Sequence, residues 1–379
     1  MKILCSSEQL SAAMSTVTKA LSARTTMPVL EGVLVSARNN TIRLSCTDMR
    51  LGIETILPGH VLGEGEAVLP GKLFSEMSRK LPDGDVDITV EGTTATITAR
   101  GTRARLQALD GAEFPALPKV ENATSVLLPS DVLKRLIHQS VFAAAVDESR
   151  PILTGVLLEV NPGRTGEQGQ YAPTSPGQVR MVALDGYRLA VSNAPYSGEA
   201  TGLKAVIPAT TMSRLASLLS DDETVVLEVG PTHLGVTLAA TKLITRLLEG
   251  EFLRYEQIIP NEWLTRINVR REFLSTALDR ASMLAREGRS NLVRLRIGGE
   301  TLVVTSNSEA GDIYEEVPVT YEGRELEIAF NSRFLSDVLR YLDAEELTMN
   351  FTTSVNSCVI RPVNSDAFTY LVLPVRALS

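Results

Sequence analysis

One pattern of residues recurs three times along this chain of 379 residues. Residues 69–118 and 207–260 each begin with an aliphatic residue before proline, then pass through an amphipathic helical stretch, an acidic turn and alternating strands. They close on similar segments, LDGAEFPALP at 109–118 and LLEGEFLRYEQIIP at 247–260. A third copy at 330–376 follows the same course and ends in LVLPVR. Self-similarity on this scale indicates repeated structural units.

The segments upstream of these copies also match each other. MPVLEGVLV at 27–35 corresponds to RPILTGVLLEV at 150–160 and to NLVRLRIGG at 291–299. The chain therefore consists of three copies of one unit, each of about 125 residues, which is an ordinary domain size. We predict an N-terminal domain, a central domain and a C-terminal domain at residues 1–122, 123–255 and 256–379.

Two periodicities alternate within each repeat. Apolar residues at i, i+3, i+4 and i+7 indicate amphipathic helices, and period-two alternation around glycine turns indicates antiparallel strands with one buried face. We predict an α+β fold of three similar domains. Each domain has two helices packed on antiparallel sheets, with about eight strands in the domain. The Gly, Pro and Gln-rich stretch at 161–178 is predicted to be a surface insertion. The six predicted helices cover residues 7–22, 71–81, 130–145, 209–220, 270–287 and 331–342.

The charge is distributed unevenly along the chain, although the total is negative. The net charge of −8 argues against binding to nucleic acid, because neutralising phosphate requires Lys and Arg. The six predicted helices, however, carry +6 together, which leaves −14 on the rest of the chain. Arg24 and Arg150 add positive charge in polar loops after a helix. A basic layer for an anionic partner and a merely solvated helix surface both fit this pattern.

Signatures of catalysis are lacking in the sequence. Gly71 and Lys72 are followed by Leu73 rather than Ser or Thr, so a P-loop is excluded, and neither a dinucleotide fingerprint nor GxSxG occurs. Asp185, before a glycine, fits a hairpin turn more simply than a catalytic acid. We therefore predict a protein without catalytic activity and without a cofactor. We also predict no metal site, since the three histidines do not pair at metal-binding spacing; they are His60, His138 and His233.

Composition also limits the compartment. No apolar run approaches the roughly 18 residues of a membrane span, and the N-terminus lacks the apolar core of a signal peptide. We therefore expect a cytoplasmic protein with reduced, buried thiols at Cys5, Cys46 and Cys358, which form no CxxC pair.

Five segments resemble, in order and spacing, the bacterial DNA polymerase sliding clamps, the β subunit of polymerase III. They are MPVLEGVLV, SRPILTGVLLEV, VALDGYRLAVSNAP, IAFNSRFLSDVL and TYLVLPVR, and the resemblance covers the whole chain. It implies that two chains join head to tail in a closed ring of six domains, with helices lining the hole. It further implies duplex DNA held without sequence readout, and a tether for the replicative polymerase, the clamp loader and other proteins with a clamp-binding motif.

The resemblance implies three sets of site residues. Facing DNA, it implies Arg24, Lys72, Arg79, Lys80, Lys134, Arg150 and Arg214. At the dimer interface, it implies Arg103, Arg105 and Leu106 on an edge strand of domain one, opposite Met283, Leu284, Asp312 and Glu315 of domain three. For a pocket that takes a short apolar-tipped peptide, it implies Leu153, Leu184, Gly186, Tyr187, Arg188, Leu189, Ile258, Asn331, Phe334, Val355, Ser357, Leu371, Val372, Leu373, Pro374, Val375 and Arg376.

The pocket departs from the family pattern at four places. The family often has His at Tyr187, Pro near Leu253, and Met at Leu373 and Val375, so the preferred peptide can differ. Two other interpretations stay open at this point: a threefold-repeat enzyme or metabolite-binding protein with its site between domains, and a sequence-specific DNA regulator. The regulator is disfavoured, since no helix-turn-helix pattern occurs.

Overall fold

The computed structural model describes residues 1–22, 25–161, 177–198, 202–221, 223–287 and 291–375. Residues 162–176 of the predicted insertion lie outside the described residues. Within the described part of the chain there are six α-helices, two in each repeat, as the periodicity predicts. They are α1 (Ser7–Val17), α2 (Gly71–Ser78), α3 (Ser130–His138), α4 (Ala209–Ala216), α5 (Arg271–Glu287) and α6 (Ser332–Tyr341).

Four helices, α1 to α4, end several residues before their predicted ends at residues 22, 81, 145 and 220, and the difference is largest for α1 and α3. The hydroxyl of Thr18 donates to the carbonyl of Met14 (2.7 Å), and a 3-10 turn follows α1. The hydroxyl of Ser140 likewise donates to the carbonyl of Leu136 (2.8 Å), just before another 3-10 turn. Hydroxyl groups that bond to the preceding turn compete with the helical ladder, whereas apolar periodicity runs on unchanged.

The described strands follow one order in each repeat, and all their pairings are antiparallel. The first repeat contains β1 (Lys2–Ser6), β2 (Gly32–Arg38), β3 (Thr41–Thr47), β4 (Leu51–Leu57), β5 (His60–Gly63), β6 (Gly65–Pro70), β7 (Asp85–Glu91), β8 (Thr94–Ala99), β9 (Thr102–Gln107) and β10 (Leu109–Asp110). The second contains β11 (Thr124–Pro129), β12 (Gly155–Asn161), β13 (Gly177–Leu184), β14 (Arg188–Tyr196), β15 (Leu203–Pro208), β16 (Thr224–Val229), β17 (His233–Leu238) and β18 (Thr241–Arg246). The third contains β19 (Thr265–Arg270), β20 (Leu292–Gly298), β21 (Thr301–Ser308), β22 (Gly311–Gly323), β23 (Leu326–Asn331), β24 (Glu346–Phe351), β25 (Cys358–Pro362) and β26 (Phe368–Val372).

Every repeat builds the same two sets of four strands. The first set, which we call set A, has the order β6-β2-β3-β4, β15-β12-β13-β14 or β23-β20-β21-β22. The second, set B, has the order β1-β7-β8-β9, β11-β16-β17-β18 or β19-β24-β25-β26. The threefold repeat of the sequence is therefore also a threefold repeat of strand order.

By its contacts the chain divides into two compact units, the first comprising Met1–Asp131 with Arg214–Leu247. In this unit β18, the last strand of set B of the second repeat, pairs with β4, the last strand of set A of the first repeat. We call such a pairing an A–B joint. It completes a nine-stranded sheet, while β9 stays at the edge of a separate five-stranded sheet. The helix α1 packs on β3, β4 and α2 and buries Leu10 and Met14 completely.

The second unit comprises Val132–Ser213 with Leu248–Ser379. Here β26 of the third repeat pairs with β14 of the second, which makes a second A–B joint and a continuous twelve-stranded sheet. The strand β22 is unusually long, because its first part pairs with β21 and its last part with β19. The helix α5 packs on β20, β21, β22 and α6.

The three cysteines are buried and free, as predicted. Burial raises the pKa of Cys5 to about 12, with Asp85 adding to the effect, and it raises the pKa of Cys46 and Cys358 as well. These thiols are packing groups. Among the described helices, none combines the length and apolar character that a bilayer crossing requires.

Candidate functional site

A tight turn between β13 and β14 presents a tyrosine to solvent. The carboxylate Oδ1 of Asp185 accepts hydrogen bonds from the backbone N–H groups of Tyr187 (2.9 Å) and Arg188 (3.1 Å). Gly186 has a φ of +93°, and no atom lies within 4 Å of where a Cβ would be, so backbone conformation rather than space favours glycine there. The turn leaves Tyr187 64% exposed, with its ring stacked 6.3 Å from the ring of Phe334. The carboxylate of Asp185 therefore stabilises the turn between β13 and β14.

The next residue, Arg188, is only 8% exposed and joins three segments of the second unit. Its Nη1 donates to Asp337 Oδ2 (2.6 Å), its Nε to Asp185 Oδ2 (3.0 Å) and its Nη2 to the carbonyl of Phe142 (2.6 Å). Its Cζ lies 4.6 Å from the ring centroid of Phe334 and 5.6 Å from that of Phe142. Three of the five guanidinium N–H donors thus have acceptors, and these lie on three different segments, so this geometry fixes α6 against the turn.

Arg188 keeps its charge despite its burial. Loss of water disfavours the charged guanidinium, but the neighbouring acidic groups of Tyr370, Asp337 and Asp185 outweigh that cost and raise the pKa of Arg188. The hydroxyl of Tyr370 also donates to the carbonyl of Phe334 (3.0 Å). The Arg188 cluster is therefore an ion-paired brace beneath the exposed tyrosine.

The C-terminal segment runs alongside this turn. The backbone N–H of Leu373 donates to the carbonyl of Tyr187 (2.8 Å), and that of Val375 donates to the carbonyl of Ala329 (2.8 Å). The side chains of Leu373 and Val375 are both exposed. Two backbone bonds thus hold an apolar tail in place beside the A–B joint.

Buried apolar side chains form the floor beneath these exposed ones. They belong to one cluster drawn from both sides of the joint and from the segment that leads into the third repeat. Its members include Leu153, Leu157, Leu184, Leu189, Val359, Leu371, Phe252 and Tyr255.

A buried polar network anchors the segment that leads into the third repeat. The Tyr255 hydroxyl donates to Glu159 Oε2 (2.6 Å) and accepts from Arg180 Nη1 (2.7 Å), while Lys204 Nζ donates to Glu159 Oε1 (2.7 Å). Glu159 is 2% exposed, so its charge depends on these partners. Burial and the bond to Glu159 raise the pKa of Tyr255, and the bond to Glu159 raises the pKa of Lys204. The 3-10 turn Tyr255–Ile258 is therefore fixed to the sheet.

These features bring most of the predicted pocket residues to one place, which we call the joint pocket. Asn331 caps α6 by accepting from the backbone N–H of Arg333 (3.0 Å), one turn from Phe334. Val355 and Ser357 lie in the turn before β25, whose first residue faces Val372 across the sheet. Arg376 lies outside the described residues. Those at the joint are Leu153, Leu184, Gly186, Tyr187, Arg188, Leu189, Ile258, Phe334, Leu371, Val372, Leu373, Pro374 and Val375.

Sequence reasoning missed the residues that hold the pocket in shape. Phe142 and Asp337 bind Arg188 from 46 and 149 positions away along the chain, and Glu159 binds Tyr255 from 96 positions away. No local pattern marks partners at such separations. A buried-type strand interrupted by one glutamate, GVLLEV, is the signal that could have drawn attention to Glu159.

The residues predicted to face DNA lie on different elements of both compact units. Arg214 forms an ion pair within the chain, since its Nη1 lies 3.6 Å from Asp48 Oδ2. Lys134 is half-buried and has a partner. Arg24 lies outside the described residues. The exposed members are Lys72, Arg79, Lys80 and Arg150.

Two strand edges carry the predicted interface residues. Arg103 and Arg105 are exposed on the edge strand β9, with Leu106 buried beneath, and neither arginine joins an ion pair within the described residues. On the other edge, the part of β22 that pairs with β21 has no described strand on its opposite side. Asp312 is exposed on that part, and Met283 is 60% exposed on α5, beside the half-buried Leu284.

One predicted interface acid already has a partner in its own chain. Both carboxylate oxygens of Glu315 accept hydrogen bonds, at 2.6 Å each, from Nε and Nη2 of Arg280 on α5. This bidentate pair lowers the pKa of Glu315. Asp312 and Glu316, rather than Glu315, are therefore the acids free of a cation on this edge in the described structure, although Glu316 accepts from the hydroxyl of Tyr314.

A groove of about 990 Å³ lies beside β9 in the first unit. Leu21, Leu73 and Leu109 supply its apolar lining, and Lys72 and Arg79 lie among its polar residues. Two of the predicted DNA-facing cations thus border an apolar groove next to an open edge.

Comparison with protein families matches nearly the whole chain. The models for the N-terminal, central and C-terminal domains of the DNA polymerase III beta subunit match residues 1–118, 127–253 and 256–376. The chain is 33% identical to the beta sliding clamp of Bacillus subtilis strain 168 over 391 aligned positions, covering 99% of this chain and 100% of that protein. It is 32% identical to the beta sliding clamp of Staphylococcus epidermidis, covering 94% of each.

Comparison with solved structures also finds DNA polymerase III beta subunits and sliding clamps. The crystal structure of the Bacillus subtilis DNA polymerase sliding clamp superposes with a TM-score of 0.92 at 31% identity, covering 100% of both chains. A putative DNA polymerase III beta subunit from Eubacterium rectale superposes with a TM-score of 0.91 at 30% identity, again over 100% of both chains. The fold and the sequence relationship therefore agree.

Proposed function

This chain belongs to the DNA polymerase III beta subunit family, the bacterial sliding clamps, and on that premise we propose that two copies of it close head to tail around duplex DNA. It is a processivity factor rather than an enzyme, and its family is not catalytic. The questions for this chain are how the ring closes and how it holds its partners.

The observation that carries the proposed ring is the pattern of A–B joints. Set B of the second repeat joins set A of the first through β18 and β4, and set B of the third joins set A of the second through β26 and β14. By the same rule, two strands have no such partner within the described residues: β9, the last strand of set B of the first repeat, and the first part of β22 of the third. In a head-to-tail pair of chains, β9 of each chain pairs with the first part of β22 of the other. The ring contains two such pairings, and neither edge remains open to aggregation.

The chemistry of the two edges supports this pairing. Arg103 and Arg105 on β9 would meet the acidic start of β22, where Asp312 is exposed. Opposite charges already face each other at the joint inside the first unit, where Lys242 lies directly across from Glu54. The exposed Met283 of a partner would find an apolar surface in the groove beside β9. Charge would set the register and apolar contact would add affinity.

In this proposal DNA is held by enclosure rather than by affinity. The cations that face the duplex are those assigned above, and their contacts to phosphate carry no sequence information. Contacts of this kind to the DNA phosphates exchange easily with counterions, so the ring can slide. The cytoplasm is the compartment in which a bacterial ring of this kind works. We further propose three domains with boundaries at about residues 122 and 255, close to the limits of the family matches.

Retention on circular DNA tests the ring directly. After loading by a bacterial clamp loader onto a nicked plasmid, we expect the protein to co-elute with DNA at salt concentrations that abolish electrostatic binding. A single double-strand cut should release it, and blocking both ends with bound protein should restore retention. Loss from closed circles at high salt, or retention on linear DNA with free ends, would contradict enclosure.

We propose that the joint pocket binds the apolar tip of a peptide from the polymerase and from other clamp-binding proteins. A few exposed apolar side chains, Tyr187, Leu373 and Val375, surround a buried apolar floor, and backbone bonds hold them there before any partner arrives. Preformed apolar clefts with a few polar groups are the usual geometry for such binding.

Tyr187→Ala tests the pocket with little risk to the fold. We expect peptide affinity to fall by about 1–3 kcal/mol in calorimetric titration with a polymerase-derived peptide, because the ring supplies one wall of the cleft. The melting temperature should change little, since the side chain is 64% exposed. Leu62→Ala is the matched control, as Leu62 is 59% exposed in the first unit. Undiminished affinity in Tyr187→Ala would place the peptide elsewhere.

A further inference from the structure

A small polar cleft of about 150 Å³ lies beside the joint pocket, on the strands of set B of the third repeat. We call it the arginine cleft, and its functional groups come from Asn261, Glu262, Trp263, Arg266, Asn350, Thr352, Ser357 and Arg361. Val359 also lines it, and the same side chain belongs to the apolar floor of the joint pocket. Val359 therefore connects the arginine cleft with the apolar floor of the joint pocket.

Two guanidinium groups are held in the cleft through one nitrogen each. Nε of Arg266 donates to Asn350 Oδ1 (2.9 Å), and its Cζ lies 4.1 Å from the ring centroid of Trp263. Nε of Arg361 donates to Thr369 Oγ1 (3.0 Å). Within the described residues neither arginine forms an ion pair, which leaves the terminal nitrogens of both available as donors.

The rest of the lining also suits an anion. The hydroxyl of Thr352 is buried and has no hydrogen-bond partner among the described residues, although a buried polar atom is normally paired. Ser357 adds a second hydroxyl to the lining of the cleft. One carboxylate, that of the exposed Glu262, lies on the lining, so two cations face one anion. Hydrogen-bond donors are in excess and one unit of positive charge is uncompensated.

The size of the cleft limits what can enter. Sites for drug-sized ligands and cofactors measure about 300–1,000 Å³, so about 150 Å³ admits one side chain rather than a nucleotide. Paired N–H groups of a guanidinium match the two oxygens of a carboxylate. Because Val359 belongs to both, a peptide with its apolar tip at the joint pocket can reach the cleft with a neighbouring residue.

We propose that the arginine cleft is a second subsite that binds an Asp or Glu side chain flanking the apolar tip of the docked peptide. This proposal rests on the proposed function of the joint pocket and adds to it a preference for acidic flanking residues. Arg361 and Arg266 would hold the carboxylate, and the hydroxyl of Thr352 would donate to it.

A double-mutant cycle between peptide and protein tests the subsite. A polymerase-derived peptide is prepared with a single Glu scanned through the positions flanking its apolar tip, and each peptide is matched to its Gln counterpart. At one position we expect Glu to bind wild-type protein about tenfold more tightly than Gln, the size of a charge-assisted hydrogen bond. In Arg361→Gln the preference should shrink to about twofold or less, with Gln-peptide affinity unchanged.

The control variant is Arg324→Gln, which removes an exposed arginine outside the cleft and should keep the tenfold preference. If Glu and Gln peptides bind wild-type protein equally at every position, the subsite is refuted while the joint pocket stands. A preference that survives in Arg361→Gln and in Arg266→Gln also refutes it. If no peptide binds wild-type protein at all, the proposed function of the joint pocket itself has failed.

Discussion

Reversing Arg103 and Arg105 to Glu should convert the dimer to monomers. Both side chains are exposed on β9 without an ion pair in the described structure, so the two substitutions should not disturb the fold. The proposed ring has two seams, and at each seam the variant would place two carboxylates against the acidic start of β22. Close charge pairs at interfaces couple by about 1.5–7 kcal/mol, so we expect the dissociation constant to rise at least about 100-fold. Sedimentation should report a mass near the 41.0 kDa of one chain.

Two further variants make this result specific. Arg324→Glu with Arg340→Glu makes the same change in net charge at exposed positions away from both edges and should stay dimeric. Adding Asp312→Arg to the monomeric variant should restore part of the dimer by reversing both sides of the seam. Asp312 is the better choice for this rescue, because Glu315 is held by Arg280. A double variant that still sediments as a dimer at micromolar concentration would mean that β9 is not at the seam.

Replacing Arg188 with Ala should destabilise the protein severely. The substitution would leave the carboxylates of Asp185 and Asp337 mostly buried without their cation, and it would empty the space between Phe142 and Phe334. Removing one partner of a buried ion pair costs about 3–5 kcal/mol in the free energy of unfolding. Urea denaturation followed by circular dichroism measures this loss, and peptide binding should be lost together with the turn that carries the pocket.

Comparison with an exposed pair separates burial from charge. Arg43 Nη1 lies 2.7 Å from Glu54 Oε1, nearly as close as Arg188 lies to Asp337 (2.6 Å), but its side chain is 49% exposed. Arg43→Ala should therefore cost no more than about 1 kcal/mol. Adding Asp337→Asn to Arg188→Ala should recover stability, because it removes one of the unpaired carboxylates. Equal losses from Arg43→Ala and Arg188→Ala would show that the Arg188 cluster is not a structural brace.

The sequence predicts the elements of this fold better than their ends and their partners. Apolar spacing identifies all six described helices, yet it overruns α1 and α3, where the hydroxyls of Thr18 and Ser140 bond to the preceding turn. Strand alternation finds the hairpins, and self-similarity finds the three units. Neither identifies the A–B joints, because a pairing such as that between β14 and β26 links positions more than 170 residues apart.

The candidate site follows the same division. Exposed apolar residues in turns and in the tail, such as Tyr187 and Leu373, stand out in the sequence once a family pattern is available. Residues that hold them, such as Asp337, gain their role only from the folded chain. The arginine cleft leaves no sequence signal, since Arg266 and Arg361 lie on strands of ordinary composition and meet only through the sheet.

For the proposed binding of peptides at the joint pocket, the buried bonds of Tyr255 have a consequence for how fast and how broadly partners are recruited. Because Tyr255 is bonded to Glu159, the 3-10 turn that carries Ile258 has little conformational entropy left to lose when a peptide docks. Recruitment is then governed by how often a partner's short tail encounters the pocket, rather than by a slow closing step. Unrelated proteins can compete for such a site through local concentration alone, because none of them has to supply the energy of shaping it.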